Sequence, residues 1–206
     1  MKTTEKLDLY KLHKAEYAAS RRPVLLRVPA AQYLGIEGQG TPGGERFTAC
    51  IGALYGVAFT IKMTRKFAGK QDYAVCKLEG QWFDGDLAKI PKAQWRWRLM
   101  IRTPDFITDA DRQIAVAALL QKGKSQEVEE VKLVSIDEGQ CVQMLHVGPY
   151  EREPESIALM RGLAEGKGFR FAGPHHEIYL SDPRRVPPER LKTILREPVV
   201  TPPAHG

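Results

Sequence analysis

The sequence carries one order of predicted elements twice, and this duplication constrains the fold more than any other feature. Each half opens on a bent strand, continues through a helix and adds two further strands. The first helix is the clearest element, because Phe47, Ile51 and Leu54 recur at three- and four-residue spacing. The elements predicted in the first half are strands at 24–28 and 32–38, a helix at 45–67, strands at 73–82 and 94–102, and a helix at 108–122.

The second half repeats this order with shorter elements. Its predicted elements are strands at 131–136 and 140–147, a helix at 155–165, and strands at 175–180 and 191–196. Two such modules can pair edge to edge into one sheet. We therefore predict an α+β fold in which tandem strand-helix-strand-strand modules form a pseudo-two-fold antiparallel sheet, with helices on one face and a central groove.

The repeat also predicts how the chain is divided. The polar residues before Pro23 form an N-terminal arm that is mobile or peripheral. One domain of two modules follows, and a short tail ends the sequence. The predicted units are the arm at 1–22, the domain at 23–200 with modules at about 23–123 and 124–200, and the tail at 201–206.

Charge and cysteine usage argue against several classes of protein. The 31 Lys and Arg outnumber the 25 Asp and Glu, but the basic residues are spread out rather than gathered in the stripe typical of nucleic-acid binding. Cys50, Cys76 and Cys141 are too far apart for a C-x-x-C zinc motif or a disulfide framework. With no apolar run or signal peptide recognised, we expect a cytoplasmic monomer or homodimer without a membrane or direct nucleic-acid partner.

Metal and nucleotide cofactors are not predicted. Gly38 to Gly43 spells G-x-G-x-x-G, but a long helix follows instead of the short return to a parallel strand that dinucleotide binding requires. His175 and His176 are adjacent on a predicted strand, so their side chains face opposite ways and do not easily share an ion. No third ligand has metal spacing, and we expect neither metal nor cofactor.

Two polar side chains are candidates for chemistry. Glu177 stands in the middle of a predicted strand, where a carboxylate faces either solvent or a polar cavity in which it can act as a base. The spacing alone favours solvent. Tyr55 and Phe59 lie one turn apart beside the apolar stripe of the first helix, so they either pack in the core or face a ligand.

Aromatic residues cluster on two neighbouring predicted strands. Trp82, Trp95 and Trp97, with Phe83, form either a simple aromatic core or a flat wall for a flat, partly cationic or polycyclic ligand.

Several runs of the sequence match one known pattern. HVGPY at 146–150 and HHEIYLSDPRR at 175–185 lie in the second half, and LYGVA at 54–58 and LEGQW at 78–82 lie in the first. Together they resemble the GyrI-like small-molecule-binding family over about residues 20–200. The resemblance implies the same paired modules around a groove that binds bulky aromatic compounds.

The resemblance also implies specific activities. Related domains form the effector-binding part of AraC-type and MerR-type multidrug regulators. A stand-alone branch is implied to hydrolyse cyclopropane-bearing, DNA-alkylating natural products such as yatakemycin, with a strand glutamate and a helix tyrosine that match Glu177 and Tyr55. The pair Trp82-Phe83 departs from the two tryptophans that relatives often carry.

We therefore expect a protein that binds bulky aromatic compounds and opens cyclopropane rings by adding water, without a cofactor. Glu177 is expected to act as the base and Tyr55 as the hydrogen-bond donor. The expected ligand contacts are Phe59, Trp82, Trp95, Trp97, Met144, His146, Tyr150 and Tyr179. The alternatives are a sequestering protein without chemistry, and an effector-binding partner of a regulator, since 22 residues before Pro23 are too few for a DNA-binding domain.

Overall fold

The computed structural model describes residues 5–85 and 89–202, so the ends of the predicted arm and tail lie outside the described residues. The helices are α1 (Leu9–Leu12), α2 (Lys14–Tyr17), α3 (Glu45–Phe67), α4 (Asp109–Gln121) and α5 (Glu153–Gly166). The strands are β1 (Val24–Val28), β2 (Ala31–Gln39), β3 (Leu78–Trp82), β4 (Arg96–Arg102), β5 (Lys132–Ile136), β6 (Gly139–Val147), β7 (Arg170–Phe171), β8 (His175–Tyr179) and β9 (Lys192–Val200).

The strands form an antiparallel sheet in the order β1-β6-β9-β8-β3-β4-β2-β5, with β7 added to β9. Three strands of each predicted module lie together, β2, β4 and β3 in the first and β6, β9 and β8 in the second. The modules meet where β3 pairs with β8, and Gly80 stands opposite Glu177 at this seam. The predicted α+β architecture is confirmed.

The two modules exchange their outer strands, which the sequence did not predict. β1 of the first half pairs with β6, and β5 of the second half pairs with β2. Both pairings follow one register, which runs from Val24 opposite Gln143 to Gly35 opposite Lys132. The two bent segments therefore lie side by side along their whole length and tie the halves together.

Most predicted strand bounds agree with the structure to within two residues, but two differ by four or five. β3 begins at Leu78 rather than Tyr73, because Tyr73 makes only an isolated bridge to Leu7. β9 continues past Arg196 to Val200, because β7 pairs with its last residues and holds them in the sheet.

The helices α3, α4 and α5 cover one face of the sheet. α3 and α4 close the larger apolar core of the first module, and α5 covers a smaller core around Met144 and Met160. By length and hydropathy α3 is apolar enough to cross a membrane, which the sequence reading did not recognise. Its buried residues, among them Leu54, Val57 and Ile61, instead place it in the core.

The N-terminal segment covers part of the opposite face, so the prediction of a peripheral arm is wrong for α1 and α2. Glu16 of α2 is buried and pairs with Arg102 at 2.5 Å, and the Tyr17 hydroxyl donates to Glu79 at 3.1 Å. Arg196 donates to the backbone carbonyl of Glu16 at 2.9 Å. These buried polar contacts anchor the segment to strands of both modules.

Candidate functional site

The candidate site lies on the helix-covered face of the sheet at the seam. Residues opposite each other in a sheet share a face, so Glu177 projects to the same side as Gly80, and His175 to the same side as Trp82. Tyr179 lies two residues beyond Glu177 and also projects there. His176 faces away, as predicted from strand alternation, and binds Glu79 and Glu138 on the other face.

The first wall of the groove is α3. Tyr55 and Phe59 lie one turn apart on this helix, and their rings stack with centroids 6.1 Å apart. Phe59 is 51% exposed, whereas Tyr55 is half-buried against the core. Burial raises the pKa of the Tyr55 hydroxyl, while a backbone hydrogen bond from Leu78 at the seam opposes this rise.

The second wall is the segment that leads into α5. Its Tyr150 packs edge-on against Tyr179, with ring centroids 6.2 Å apart. Burial and the nearby Glu177 raise the pKa of Tyr150 to about 12, and they raise the pKa of Tyr179 as well. Both phenols therefore stay protonated near neutral pH and can donate hydrogen bonds within the groove.

An acid–imidazole cluster lies between these walls and the sheet. Ligand atoms of Glu153, His175 and Glu177 are all within 4.8 Å of one another. His175 Nε2 lies 3.4 Å from Glu177 Oε1, and His175 Nδ1 lies 2.7 Å from Glu197 Oε1. Glu197 on β9 thereby fixes the imidazole so that its other nitrogen faces Glu177.

Burial and mutual contact shift the pKa values of Glu153 and His175 in this cluster. Burial and the neighbouring Glu177 raise the pKa of Glu153 well above its ordinary range. Burial opposes a charge on His175, but Glu177 and Glu197 outweigh it and raise the pKa of the imidazole to about 10. Burial and contact thus favour the protonated forms of the Glu153 carboxyl and the His175 imidazole.

Tyr55 and Glu177 share this face of the sheet, one on each side of the seam. Within the described chain no hydrogen bond joins the two side chains. Glu177 is 7% exposed, so its carboxylate is buried. The spacing alone favoured a position in solvent, and the structure differs from that expectation. The catalytic roles of both residues stay predictions.

The tryptophans pack mainly as an aromatic core. Trp97 is fully buried, packs edge-on against Phe47 with centroids 5.0 Å apart, and donates its indole N–H to the Gly40 carbonyl. Trp82 packs edge-on against Trp95 with centroids 5.7 Å apart. Trp82 is nearest to the groove, since it lies on the seam strand, and its indole N–H is buried without a hydrogen-bond partner.

The remaining predicted ligand contacts occupy different places. Met144 is buried in the core beneath α5. His146 is buried, with Nδ1 2.9 Å from the Ser156 hydroxyl and Nε2 3.1 Å from the Pro149 carbonyl, so both ring nitrogens have partners within the protein. Tyr150 and Tyr179, by contrast, pack against each other at the seam.

Sequence reasoning missed Glu153 and Glu197. Glu153 begins α5, and an acidic residue in the first turn of a helix is ordinary. Only the packing of α5 on the second module brings it to β8. Glu197 follows Arg196 in the segment predicted to lie beyond the last strand, so no pattern pointed to it.

A separate cavity of about 350 Å³ opens on the opposite face. Its lining includes Gln81, Arg98, Glu138 and Pro198. These residues belong to the face of the sheet that the N-terminal segment partly covers. The cavity is therefore separate from the candidate site, which lies on the helix-covered face.

The fold and groove are those of a small-molecule-binding domain of two paired modules. The model of the GyrI-like small molecule binding domain matches residues 97–199. The chain belongs to the GyrI-like family, which confirms the resemblance drawn from the sequence. Among curated proteins, no match was found.

Solved structures extend the likeness over nearly the whole chain. An uncharacterized conserved protein from Listeria innocua is 39% identical, with 95% of this chain and 100% of that chain covered and a TM-score of 0.88. A hydrolase from Listeria innocua is 38% identical with the same coverage and a TM-score of 0.87. The EcmrR C-terminal domain, 12% identical over 88% of this chain and 98% of its own with a TM-score of 0.57, shows the fold alone.

Proposed function

We propose that this protein binds bulky, flat aromatic compounds in the seam groove and hydrolyses those that carry a cyclopropane conjugated to a carbonyl. The observation that carries the proposal is Glu177, a buried carboxylate on the floor of a groove walled by aromatic rings. The similarity to a hydrolase at 38% identity supports an enzymatic function. The role would be detoxification in the cytoplasm, without a nucleic-acid partner.

The proposed reaction adds one water to the substrate. The water oxygen attacks a ring carbon, a new C–O bond forms, and the C–C bond of the strained ring breaks. The electrons of that bond move through the conjugated system to the carbonyl oxygen. Glu177 takes a proton from the attacking water. That proton then passes through solvent to the oxygen that has gained charge, so the base is regenerated and one water is added overall.

Tyr55 would stabilise the charge on that oxygen. The hydrogen bond from the Leu78 backbone uses an acceptor position of its hydroxyl and leaves the hydroxyl proton free to be donated. A donor that is already oriented stabilises a developing oxyanion without reorganisation. Flat rings around the groove would add to the rate by orienting the substrate.

The surroundings of Glu177 suit a base. Its ion-pair contact is with His175 at 3.4 Å, and within the described residues no Lys or Arg forms a salt bridge with it. Glu197 holds the imidazole from the other side. Within the described residues the carboxylate is therefore oriented by this imidazole and not by a Lys or Arg.

Binding of a bulky substrate would require the groove to open. The Tyr179 ring lies over Gly80, and Tyr150 packs against that ring. Rotation of these two phenols away from the seam would uncover Glu177. The exposed Phe59 beside Tyr55 on α3 offers a first contact for an aromatic ligand.

The test is a single-turnover incubation with a cyclopropane-bearing aromatic compound, followed by mass spectrometry. The wild-type protein should yield a product heavier by one water. Glu177→Gln preserves shape but removes the base, and it should bind the compound without converting it. Glu155→Gln is the matched control, because Glu155 is an exposed carboxylate on α5 that pairs with Arg152. Undiminished hydrolysis by Glu177→Gln would eliminate the proposed mechanism.

A second candidate is binding without chemistry, which the description of the family as a small-molecule-binding domain favours. The protein would then sequester its ligand or serve as the effector-binding partner of a regulator. Quenching of tryptophan fluorescence with full recovery of the unchanged compound would identify this function. Sedimentation of the same samples would distinguish the expected monomer from the homodimer.

A further inference from the structure

We propose that Glu153, His175 and Glu177 form a site for a divalent transition-metal ion such as Zn²⁺. The inference does not rest on the proposed hydrolysis, because it concerns binding alone and follows from the arrangement of the three side chains. They come from two elements, the first turn of α5 and the strand β8.

The spacing of the ligand atoms suits a small ion. His175 Nε2 and Glu177 Oε1 lie 3.4 Å apart. Two ligands that bind zinc tetrahedrally at about 2.0–2.2 Å are separated by about that distance. An atom of Glu153 lies within 4.8 Å of both, so a small side-chain rotation would complete three-fold coordination.

Two of these atoms are buried and make no hydrogen bond, although His175 Nε2 has Glu177 Oε1 at 3.4 Å. Glu153 is 6% exposed, and its Oε1 makes no hydrogen bond. His175 Nε2 is likewise buried without a hydrogen bond. A buried polar atom without a partner is unfavourable, and a shared cation would satisfy both atoms at once.

The outer contacts of the cluster resemble those of known metal sites. His175 Nδ1 lies 2.7 Å from Glu197 Oε1, so a carboxylate orients the imidazole and leaves Nε2 directed at the cluster. Metal-binding histidines usually have such a partner on the second nitrogen, because it fixes the ring and strengthens the ligand. A buried histidine with only a structural role would have no need for Nε2 to face two acids.

The donor set selects the class of ion. One imidazole nitrogen and two carboxylate oxygens suit zinc, cobalt or manganese, whereas calcium and magnesium take oxygen ligands. Three protein ligands leave a fourth position open toward the groove. Since Glu177 cannot bind an ion and accept a proton at once, a bound ion would suppress the proposed base function.

The test uses the full chain stripped with EDTA and titrated with Co²⁺. Wild-type protein should bind one equivalent with visible absorption bands of tetrahedral cobalt, and Zn²⁺ should displace it. Glu153→Gln and His175→Gln should each weaken binding at least about 10-fold, and so should Glu197→Gln through the orientation of His175. Glu155→Gln, the exposed carboxylate on the same helix, should bind like the wild type.

Two outcomes would overturn the proposal. One is the absence of saturable Co²⁺ binding by folded wild-type protein, which would mean that protons alone balance the cluster. The other is binding that persists unchanged in Glu153→Gln and His175→Gln. If a variant fails to fold, X-ray absorption of zinc-loaded wild-type protein decides instead: one imidazole with oxygen neighbours supports the site, and sulfur ligands contradict it. Neither result depends on whether the protein hydrolyses anything.

Discussion

The hydroxyl of Tyr179 lies 3.0 Å from the position that a Cβ atom on Gly80 would occupy, across the seam between β8 and β3. Gly80 therefore does more than complete a strand. Its missing side chain is what allows the phenol ring to lie flat against the floor of the groove, above the strand that carries Glu177. The position of Tyr179 over the seam depends on this one small residue of the opposite module.

Gly80→Ala is expected to displace the Tyr179 ring from the seam and, because this ring covers Glu177, to strengthen binding of a flat aromatic ligand. The crowding should also reduce the free energy of unfolding by about 1 kcal/mol. Ligand titration followed by tryptophan fluorescence, with urea unfolding of the same protein, measures both effects. Gly162→Ala is the control, because Gly162 on α5 has open space around it. Equal ligand affinity in Gly80→Ala and the wild type would contradict the covering role of Tyr179.

Tyr55→Phe is expected to slow ring opening about 100-fold, the usual effect of removing one hydrogen-bond donor from a developing oxyanion. The dissociation constant should change much less, because the ring that contacts Phe59 remains. Single-turnover measurements at saturating protein give the rate constant of ring opening. The dissociation constant is measured separately in the Glu177→Gln background, in which the compound should bind without being converted. An unchanged rate constant would remove Tyr55 from the reaction.

Acid should destabilise the protein through Glu138. Burial alone would raise the pKa of this carboxyl, but His176 and Arg196 outweigh it and lower the pKa to about 2, below the ordinary 4.5. Because the folded-state pKa is depressed, the stabilisation is fully present above pH 4.5 and is lost as the pH falls through about 2. The amount is about 3 kcal/mol.

The measurement is the free energy of unfolding as a function of pH for the wild type and Glu138→Gln. The variant should lose the acid dependence that this carboxyl contributes. It should also be less stable at neutral pH by about 3–5 kcal/mol, because Arg196 would stay buried without its charged partner. Parallel curves for the two proteins across the acid range would show that Glu138 is not the responsible group.

Two glycine substitutions should change stability in opposite directions. A Cβ on Gly38 would lie 2.3 Å from the ring of the buried Trp97, so Gly38→Ala should cost about 3 kcal/mol. Gly52 lies on the exposed side of α3 with nothing within 4 Å of a Cβ, and Gly52→Ala should add about 1 kcal/mol through helix propensity. Urea unfolding monitored by circular dichroism tests both. A stable Gly38→Ala protein would mean that Trp97 has room to move.

The architecture was predictable because it depends on patterns that recur along the chain. The spacing of Phe47, Ile51 and Leu54 fixed the first helix within the observed bounds Glu45–Phe67. Trp97 and Leu99 alternate with Met100 along β4, a pattern that predicts opposite faces, and they lie in the larger core while Met100 lies in a separate cluster. Periodicity of this kind reports which residues are buried together within one element.

The rest of the site depends on contacts that periodicity does not contain. Arg102 alternates like a solvent-facing residue, yet α2 covers it and supplies Glu16 as its partner. Glu153 and His175 lie far apart in sequence, and nothing in either segment encodes that α5 packs above β8. Pairings between distant segments are decided by the whole fold, so the acid–imidazole cluster was visible only in the structure.

The pairing of β1 with β6 and of β2 with β5 has a consequence for how this fold evolved. The opening strand of each half pairs with a strand of the other half, so two copies of a single half could pair with each other in the same way. A symmetric ancestral homodimer would bury the same edges by the same reciprocal exchange. Gene duplication and fusion would then join the copies without repacking either one, and later divergence would be free to place an acid on one side of the interface and a phenol on the other.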